Sequence, residues 1–320
     1  MFFIYADKDL NDVKVVNPSL LDISYGANDN DFEATFALTS ENVFEAGSYL
    51  YREGTEYGGI IDSISPCPNS NTIVYNGRTW HGILQSKVVE PDTGESHLIV
   101  SGELYSLTNL LIERCELDSL FVAPSASSGI YVSNFQFNRY VYLFDALRSL
   151  YKSVGYKPKI SFLDHRVEIT ATGIKSYNVK FDVSIDYRPV NHLICLGQGE
   201  NEERLVIDLY ADADGNVSQT QTFFGIDERT ETYDYTNANE ETLISNGTKR
   251  LQELQTAPKA TSTGELVGQY ELGDELTSYE PITDLEITSH VEQIIYQTNS
   301  DGHESISYEA STPQIQTETL

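Results

Sequence analysis

An aspartate-rich run at residues 212–215 has the residue types that most resemble a metal-binding loop. This run, Asp-Ala-Asp-Gly, resembles part of a calcium loop. In such a loop the glycine is the sixth residue, and carboxylates occupy the first and twelfth positions. Placing Gly215 sixth puts Tyr210 first and Gln221 twelfth, and neither side chain carries a carboxylate. The run therefore predicts a hairpin turn and not a calcium site.

The histidines and cysteines lack the spacing of metal sites or disulfide frameworks. No two histidines are arranged as HxH or HxxxH, and no two cysteines as CxxC. We therefore expect no metal, no cofactor and no disulfide framework. The residues concerned are His81, His97, His165, His192, His290, His303, Cys67, Cys115 and Cys195.

The segment GRTWHG (77–82) groups an arginine, the single tryptophan and a histidine, and such a group can stack on a ligand. If the segment is a strand, the alternation of side chains puts Arg78, Trp80 and Gly82 on one face. Trp80 is then better explained as an anchor in a core or a subunit contact than as a ligand site.

Catalytic motifs are also missing from the sequence. The segment CLGQGE (195–200) has two glycines after an apolar run, but no third glycine and no helix signal follow, so a phosphate cradle is not predicted. There is no G-x-S-x-G and no cysteine–histidine arrangement that stands out. Pairs of carboxylates occur almost anywhere among 49 acidic residues, so no pair is evidence for glycoside hydrolysis. The sequence predicts no enzyme.

Composition excludes several other classes of protein. The 320 residues suffice for two or three ordinary cores, and the first residues, MFFIYADKD, lack the features of a secretory signal. No apolar run approaches the ~18 residues of a membrane span. The formal net charge of −29 is spread along the chain without a basic stripe, so we expect the protein to repel DNA.

Most of the sequence has the pattern of strands. The run 32–39 alternates with a period of two, 47–64 resembles a hairpin whose loop carries Gly54, and 71–77 and 97–115 continue the β pattern. The second strand of that hairpin opens with Gly58 and Gly59, which add no packing to a strand. We therefore expect another part of the protein to approach the backbone closely there.

Two segments have helical periodicity instead. Apolar residues from Leu143 to Val154 are followed by Gly155, a C-cap candidate, and then by a hairpin with Asp164-His165 at its turn. A second helix is predicted over residues 240–254, with Asn239 as its N-cap.

Two distant segments have similar sequences. FEAGSYL (44–50) and YELGDEL (270–276) share an aromatic residue, glutamate, an apolar residue, glycine and leucine at matching positions. Each is followed by a second strand, GGIIDSI (58–64) or ITDLEI (282–287), and then by NTIVY or ESISY. The matching order favours two related β-modules near the two ends of the chain.

At GTEYGGIIDSISPCPNSNTIVYNGRTWHGIL (54–84) and at residues 191–254 the chain resembles the tail-hub proteins of siphophages and prophages. The glycine pair after a tyrosine and the run Asn-Gly-Arg-Thr-Trp carry this resemblance, which covers most of residues 35–255. The family is similar in fold to the baseplate hubs of contractile phages and to type VI secretion spike proteins.

The resemblance implies a mainly β protein with α+β insertions, built from two related β-barrel domains and two small α/β domains. The corresponding boundaries are a barrel at 1–125, an α/β domain at 126–186, a strand leading into a second α/β domain at 187–258, and strands completing the second barrel at 259–320.

The resemblance also implies a function. Three copies would form a homotrimeric ring at the tail tip of a virion, made in the bacterial host cytoplasm, through which genomic DNA passes without binding. Implied partners are the distal tail protein ring, the tape-measure protein, and a tip fibre or receptor-binding protein. Many relatives carry a C-terminal hydrolase or receptor-binding extension; this sequence ends at Leu320, so lysin activity is not expected.

Specific residues can be assigned to this expected ring. Gly58, Gly59 and Trp80 are candidates for a subunit interface, and Glu53 and Glu56 are candidates for an acidic channel lining. The alternatives are a tail-associated cell-wall or polysaccharide hydrolase acting through Asp/Glu pairs, and a carbohydrate-binding module, which the tyrosine-rich strands suggest.

Overall fold

A computed structural model describes residues 2–180, 182–184, 189–256, 261–263, 266, 268–281, 285–299, 301–311 and 314–316. Contacts divide the chain into two compact units. The first unit comprises Met1–Val179, Glu265–Thr277 and His290–Ser311, and the second comprises Lys180–Gly264, Ser278–Ser289 and Thr312–Leu320. The four-part division expected from the sequence stays a prediction.

Strands predominate up to residue 179. The elements described there are β1 (Phe3–Ala6), β2 (Asp12–Val16), β3 (Leu20–Gly26), β4 (Asp31–Ala37), β5 (Tyr49–Tyr51), β6 (Gly58–Cys67), β7 (Thr72–Thr79), α1 (Trp80–Gln85), β8 (Val88–Val89), β9 (Ile99–Glu103), α2 (Leu104–Arg114), β10 (Phe121–Val122), β11 (Tyr131–Gln136), β12 (Val141–Tyr142), α3 (Leu143–Lys152), β13 (Tyr156–Leu163), β14 (Arg166–Gly173) and β15 (Ser176–Asn178).

The rest of the chain adds one long helix and further strands. Its described elements are β16 (Asp182–Ser184), β17 (His192–Leu196), β18 (Val206–Ala211), β19 (Val217–Ser218), β20 (Thr230–Asp234), α4 (Glu240–Thr256), β21 (Thr261–Thr263), β22 (Glu275–Glu280), β23 (Leu285–Thr298), β24 (Glu304–Ala310) and β25 (Gln314–Gln316).

The largest sheet has the strand order β15-β22-β23-β3-β4-β7-β6-β5-β1-β2, and β24 pairs with β23. Six consecutive strands, β6-β7-β4-β3-β23-β24, are joined by antiparallel ladders only. Strands at both ends of the order lack a second partner among the described residues. The mainly β prediction with helical insertions is confirmed, whereas the sheets described are open, so the two expected barrels are not confirmed.

The first unit has an aromatic core that follows from strand alternation. In β4 the side chains of Phe32, Ala34 and Phe36 are buried, whereas those of Asp31 and Glu33 are exposed. Such alternation is expected of an antiparallel sheet with one face on a core and one in water.

The helix and hairpin predicted after residue 142 are confirmed. Helix α3 buries its apolar face and is followed by Gly155 with a φ of +80°. Strands β13 and β14 form the predicted antiparallel hairpin. Asp164 and His165 both have positive φ, 49° and 61°, as a two-residue type I′ turn requires.

Two segments predicted as strands are helical at one end, which corrects the sequence analysis. Only Ile99–Glu103 of the segment 97–115 is a strand, and α2 follows, because the Glu103 carboxylate accepts the N–H of Ser106 as an N-cap. Similarly, α1 begins at Trp80, where the Thr79 hydroxyl accepts the N–H of Gly82 at 3.3 Å. Trp80 and Gly82 therefore do not share a strand face.

The second unit contains a four-stranded sheet, β19-β18-β17-β20, packed against α4. The predicted N-cap is confirmed, since Asn239 accepts the N–H of Thr242 at 3.0 Å. Leu243 and Leu251 are fully buried in the core. The Asp-Ala-Asp-Gly run forms the turn of the β18–β19 hairpin, where the Asp212 carboxylate accepts backbone N–H groups.

Candidate functional site

The turn before β5 is the first copy of a repeated structural module. Gly47 has a φ of +85°, donates its N–H to the carbonyl of Ile61 at 2.7 Å, and is followed by the buried Ser48. Ile61 in return donates its N–H to the Ser48 carbonyl at 2.8 Å. The Phe44 N–H donates to the Tyr75 hydroxyl at 2.9 Å, and the two rings lie 4.8 Å apart.

The turn before β22 repeats these interactions. Gly273 has a φ of +83° and donates its N–H to the carbonyl of Val291 at 2.8 Å. Val291 donates to the carbonyl of Asp274 at 2.9 Å. The Tyr270 N–H donates to the Tyr308 hydroxyl at 3.4 Å, and these rings lie 5.1 Å apart. Both copies therefore share the turn, the ladder and the tyrosine that holds the turn.

A β-bulge extends the correspondence. In β6 the pairing with β7 skips Asp62, and in β23 the pairing with β24 skips Glu292, one residue after Ile61 and Val291 respectively. The strand equivalent to GGIIDSI (58–64) is consequently TSHVEQI (288–294), which corrects the alignment with 282–287. Residues 282–284 lie outside the described residues. The predicted internal repeat is a repeat of structure as well as of sequence.

The second copy of the turn differs from the first by a buried ion pair. Asp274, which occupies the position of Ser48, is fully buried. Its carboxylate accepts hydrogen bonds from the ammonium group of Lys157 and from the backbone N–H of Lys175. Glu271 pairs with Lys157 at 3.0 Å. Burial alone would raise the pKa of Glu271, but hydrogen bonds from Lys159 and Lys157 outweigh it and lower this pKa to about 2.

The loop between β5 and β6, residues 52–57, covers the free edge of β13. Gly54 donates its N–H to the Phe162 carbonyl at 2.8 Å, and the Phe162 N–H donates to the Thr55 carbonyl at 3.1 Å. On either side, the Glu53 carboxylate accepts the N–H of Asp164 at 3.1 Å and the Glu56 carboxylate accepts that of Ile160 at 3.2 Å. The two carboxylates replace strand carbonyls and satisfy an exposed strand edge.

Glu56 lies in a less polar setting than Glu53, which is exposed. Burial raises the pKa of Glu56 to about 7, although hydrogen bonds from Ile160 and Tyr25 oppose this. Glu53 and Glu56 are thus brought together on one loop, and both bind backbone N–H groups of this chain. Their role in a channel lining stays a prediction.

The glycine pair is explained by a close approach within the chain. A Cβ built on Gly59 would lie 2.0 Å from the Arg78 carbonyl oxygen, and one on Gly58 would lie 2.6 Å from the Cβ of Tyr51. Either distance is far inside van der Waals contact. Valine at both positions therefore does not fit the folded chain, contrary to what strand propensity suggests. A role of Gly58 and Gly59 in a subunit contact stays a prediction.

Trp80 lies beside this close approach and fills the space that Gly58 leaves. Its ring is fully buried and stacks 5.3 Å from that of Phe162, which in turn lies 3.9 Å from the ring of Tyr51. The alternative of a core anchor therefore fits the structure, and a completely buried ring offers no surface to another subunit.

An acidic face lies on the exposed side of β3 and β4. Asp22 on β3 is directly opposite Glu33 on β4. Asp31 lies two residues before Glu33 on β4 and is exposed on the same face. These three line an open groove of about 510 Å³ together with Asp29. Burial, with repulsion from Asp29 and Asp22, raises the pKa of Asp31. These residues are not recognisable as a group from the sequence, because their proximity depends on strand pairing.

A histidine in the second unit lies between two carboxylates. The Nε2 of His192 is 2.7 Å from Asp208, and its Nδ1 is 2.6 Å from Glu228. Both ring nitrogens are therefore engaged, and neither is free to ligate a metal. Among the described residues there is no group of three His, Cys, Asp or Glu side chains placed to hold a metal, and no helix has the length and hydropathy to cross a membrane.

Comparison with known proteins gives matches at the level of structure. No family model matches the chain. No curated protein matches it either. A tail protein from Neisseria meningitidis MC58 is 12% identical over 97% of both chains, with a TM-score of 0.43. A prophage tail protein from Listeria monocytogenes EGD-e is 13% identical over 97% of this chain and 94% of its own, with a TM-score of 0.46.

A chain of the phage P2 baseplate, solved in an activated conformation with calcium, is 13% identical over 93% of this chain and 89% of its own, with a TM-score of 0.47. These matches belong to the groups of tail and baseplate proteins that the sequence resembles. At this level of identity the likeness concerns the fold alone.

Proposed function

We propose that this protein is a structural subunit of a phage tail tip, a hub of which three copies form a ring. The observation that carries the proposal is the repeated module, with its Gly47 and Gly273 turns. A ring of three chains, each with two related modules, presents six similar units. Such a ring can join a sixfold tail tube to a threefold tip.

The sequence resemblance over most of residues 35–255 supports the same function. It suggests a distal tail protein ring, a tape-measure protein and a tip fibre or receptor-binding protein as partners, in the tail of the virion. The hub carries no catalytic function in this proposal, in line with the absence of catalytic motifs from the sequence.

The acidic face is the best candidate for the wall of a channel that DNA traverses. Asp22, Asp31 and Glu33 are close together on one exposed sheet surface. DNA binds to surfaces whose lysine and arginine side chains neutralise its phosphates and release counterions. An acidic wall lacks such side chains and therefore does not retain DNA. We propose this face, in addition to the candidates Glu53 and Glu56, as the channel lining.

Measuring the mass of the purified protein in solution, by light scattering after size exclusion, tests the ring. We expect about three times the 35.8 kDa of one chain and electron-microscope images with threefold symmetry and six similar peripheral units. A monomer at every concentration, or a ring of a different number of chains, would falsify the proposal.

An activity assay tests the alternative of a hydrolase. We expect the purified protein to release no fragments from peptidoglycan or from capsular polysaccharide. Turnover that a single aspartate or glutamate substitution abolishes would establish the alternative and exclude a purely structural role.

A further inference from the structure

The second unit exposes two large apolar side chains on one loop. This loop, residues 219–229 between β19 and β20, is called here the Phe224 loop. Phe224 is 65% exposed and Ile226 is 87% exposed, the highest value among the large apolar side chains described. Apolar groups clustered on an exposed tip are a common mark of a protein contact.

The Phe224 loop is held in a defined conformation. At its tip, Gly225 has a φ of +64° and begins a short 3₁₀ turn, Gly225–Asp227. At its base, the Asn191 amide donates to the Asp227 carbonyl at 2.7 Å and accepts the N–H of Arg229 at 2.8 Å. The two exposed side chains are therefore presented on a fixed base, which reduces the entropy lost on binding.

A histidine adds to this base. Glu228, next to the exposed pair, is bound by His192 at 2.6 Å, and the same ring is bound by Asp208. Farther from the tip, the Thr222 hydroxyl donates to the Ala211 carbonyl at 3.1 Å. These side chains hold the loop from both of its ends, yet leave Phe224 and Ile226 outside the core.

Charge narrows the choice of partner. Asp227 and Glu228 adjoin the apolar pair and are followed by a single basic residue, Arg229, and the chain as a whole carries a net charge of −29. An anionic lipid surface attracts loops that are rich in basic residues, so a loop with two acidic residues and one arginine beside its apolar tip is not suited to it. Pairing of this loop with the same loop of a second copy would bring Asp227 and Glu228 of both chains together, and like charges that face each other at an interface cost free energy.

We propose that the Phe224 loop is a docking element that inserts Phe224 and Ile226 into an apolar pocket of a different protein, one whose pocket has a basic rim. Aromatic side chains that enter such pockets commonly contribute much of the binding energy. We look for this partner in the phage tail because of the proposed function. The chemistry by which the loop would recognise the partner is independent of that function.

The first test separates the possible occupants with the purified full-length protein. The variant Phe224→Ser/Ile226→Ser is compared with Val206→Ser, which removes another exposed apolar side chain of the same unit, 51% exposed on β18. We expect both to keep the wild-type oligomeric state and none of the proteins to bind vesicles of phosphatidylethanolamine and phosphatidylglycerol. Loss of the oligomer, or vesicle binding, in a manner that depends on Phe224 would overturn the proposal.

The second test locates the partner in assembled tails. A photo-crosslinking residue replaces Phe224, or Val206 as the control, and tails are irradiated and analysed by mass spectrometry. We expect the position 224 probe alone to attach to another protein, at a peptide adjacent to lysine or arginine residues. Attachment to a second copy, attachment to an acidic or neutral surface, or no attachment would contradict the proposal.

The amount of the Phe224→Ser/Ile226→Ser variant that is incorporated into tails measures how much the two side chains contribute to docking. We expect at least about tenfold less incorporation than for Val206→Ser, as for loss of an interface anchor. Equal incorporation overturns the proposal. If the wild-type chain itself is absent from tails, the hub function fails first, and this outcome is distinct from failure of the docking loop.

Discussion

Gly59 lies where two neighbouring strands of the chain approach each other closely. The nearest atom to a Cβ built there is the Arg78 carbonyl oxygen on the neighbouring strand β7, at 2.0 Å. That oxygen belongs to the backbone of a paired strand and cannot rotate away as a side chain could. The absence of a side chain is therefore a requirement of the sheet at this position.

We predict that Gly59→Ala destabilises the protein by about 1–3 kcal/mol or more, because the methyl group displaces a strand. Urea unfolding followed by fluorescence measures this. Gly173→Ala is the matched control, since nothing lies within 4 Å of a Cβ there, and it should change stability by no more than about 0.5 kcal/mol. Equal stability of the two variants would contradict the close-approach explanation.

Glu56 is a second residue whose environment sets its chemistry. Burial raises its pKa from 4.5 to about 7. A raised carboxyl pKa means that the folded state favours the protonated form, so the contribution to stability is complete below pH 4.5 and is lost as the pH rises through 7.

We predict that Glu56→Gln removes this loss, because the amide keeps an acceptor for the Ile160 N–H but does not ionise. Above pH 7 the variant should be more stable than the wild type by on the order of 1–3 kcal/mol, and the difference should fall toward zero near pH 4. Thermal unfolding across this pH range measures it, with Glu53→Gln as the control on the same loop. A constant difference at all pH values would refute the prediction.

At the scale of elements, each copy of the repeated module stabilises its turn with a hydrogen bond from a backbone N–H to a tyrosine hydroxyl. Tyr75 is fully buried, and its hydroxyl accepts from Phe44 and donates to the Asn42 carbonyl at 2.7 Å. Tyr308 is only half-buried, and its bond to Tyr270 is longer, at 3.4 Å. The first copy is therefore held more tightly than the second.

We expect Tyr75→Phe to cost about 1–3 kcal/mol, because it leaves the buried Phe44 N–H and the partly buried Asn42 carbonyl without this partner, and Tyr308→Phe to cost less than about 1 kcal/mol. Chemical unfolding of the two variants compares the copies directly. Were Tyr308→Phe the more damaging change, the assignment of the tighter bond to the first module would be wrong.

The ion pair of the second copy attaches β13 to the turn before β22. Lys157 is 5% exposed and Asp274 is fully buried. The Asp274 carboxylate is compensated by Lys157, whereas Lys157 also pairs with Glu271 at 3.0 Å. Removing one partner of a buried pair leaves an uncompensated charge, which is far more costly than losing a surface pair.

Lys157→Met is expected to cost about 3–5 kcal/mol, because it leaves the buried Asp274 carboxylate without its counter-charge, whereas Lys159→Met should cost no more than about 1 kcal/mol because the Lys159 side chain is 46% exposed. The double variant Lys157→Met/Asp274→Ala should be less destabilised than the sum of its single changes. Additive costs in this double-mutant cycle would show that the two side chains do not act as a pair.

At the scale of the whole molecule, charge is the dominant property. The formal charge of −29 per chain is tripled in the proposed ring, and part of it lies on the face with Asp22, Asp31 and Glu33. Repulsion of this kind opposes assembly and is screened by salt, since the Debye length falls from about 30 Å at 0.01 M to about 8 Å at 0.15 M.

Assembly of the ring should therefore strengthen with ionic strength, by about tenfold or more in the dissociation constant over that range. Sedimentation at several salt concentrations measures it. The variant Asp22→Asn/Asp31→Asn/Glu33→Gln should show a weaker dependence. A ring that dissociates as salt is added would mean that attractive ion pairs between subunits outweigh the repulsion.

Local features of this protein were determined by the sequence itself. The helix that ends before Gly155, the type I′ turn at Asp164-His165 and the N-cap at Asn239 each depend on a few neighbouring residues, so their patterns can be recognised directly. The internal repeat was also visible, because its glycine turn, which needs a positive φ, conserves its residue types in FEAGSYL and YELGDEL.

Only the tertiary structure decided what these elements touch. Glu56 meets the N–H of Ile160 across more than a hundred residues of chain, and strand pairing brings Arg78 against Gly59. The sequence pattern predicted strands at α1 and α2, but N-cap hydrogen bonds accepted by Thr79 and Glu103 begin a helix at each place. Burial, pKa values and close approaches arise from pairs of residues distant in sequence, and a one-dimensional pattern records residue types but not which distant pairs meet.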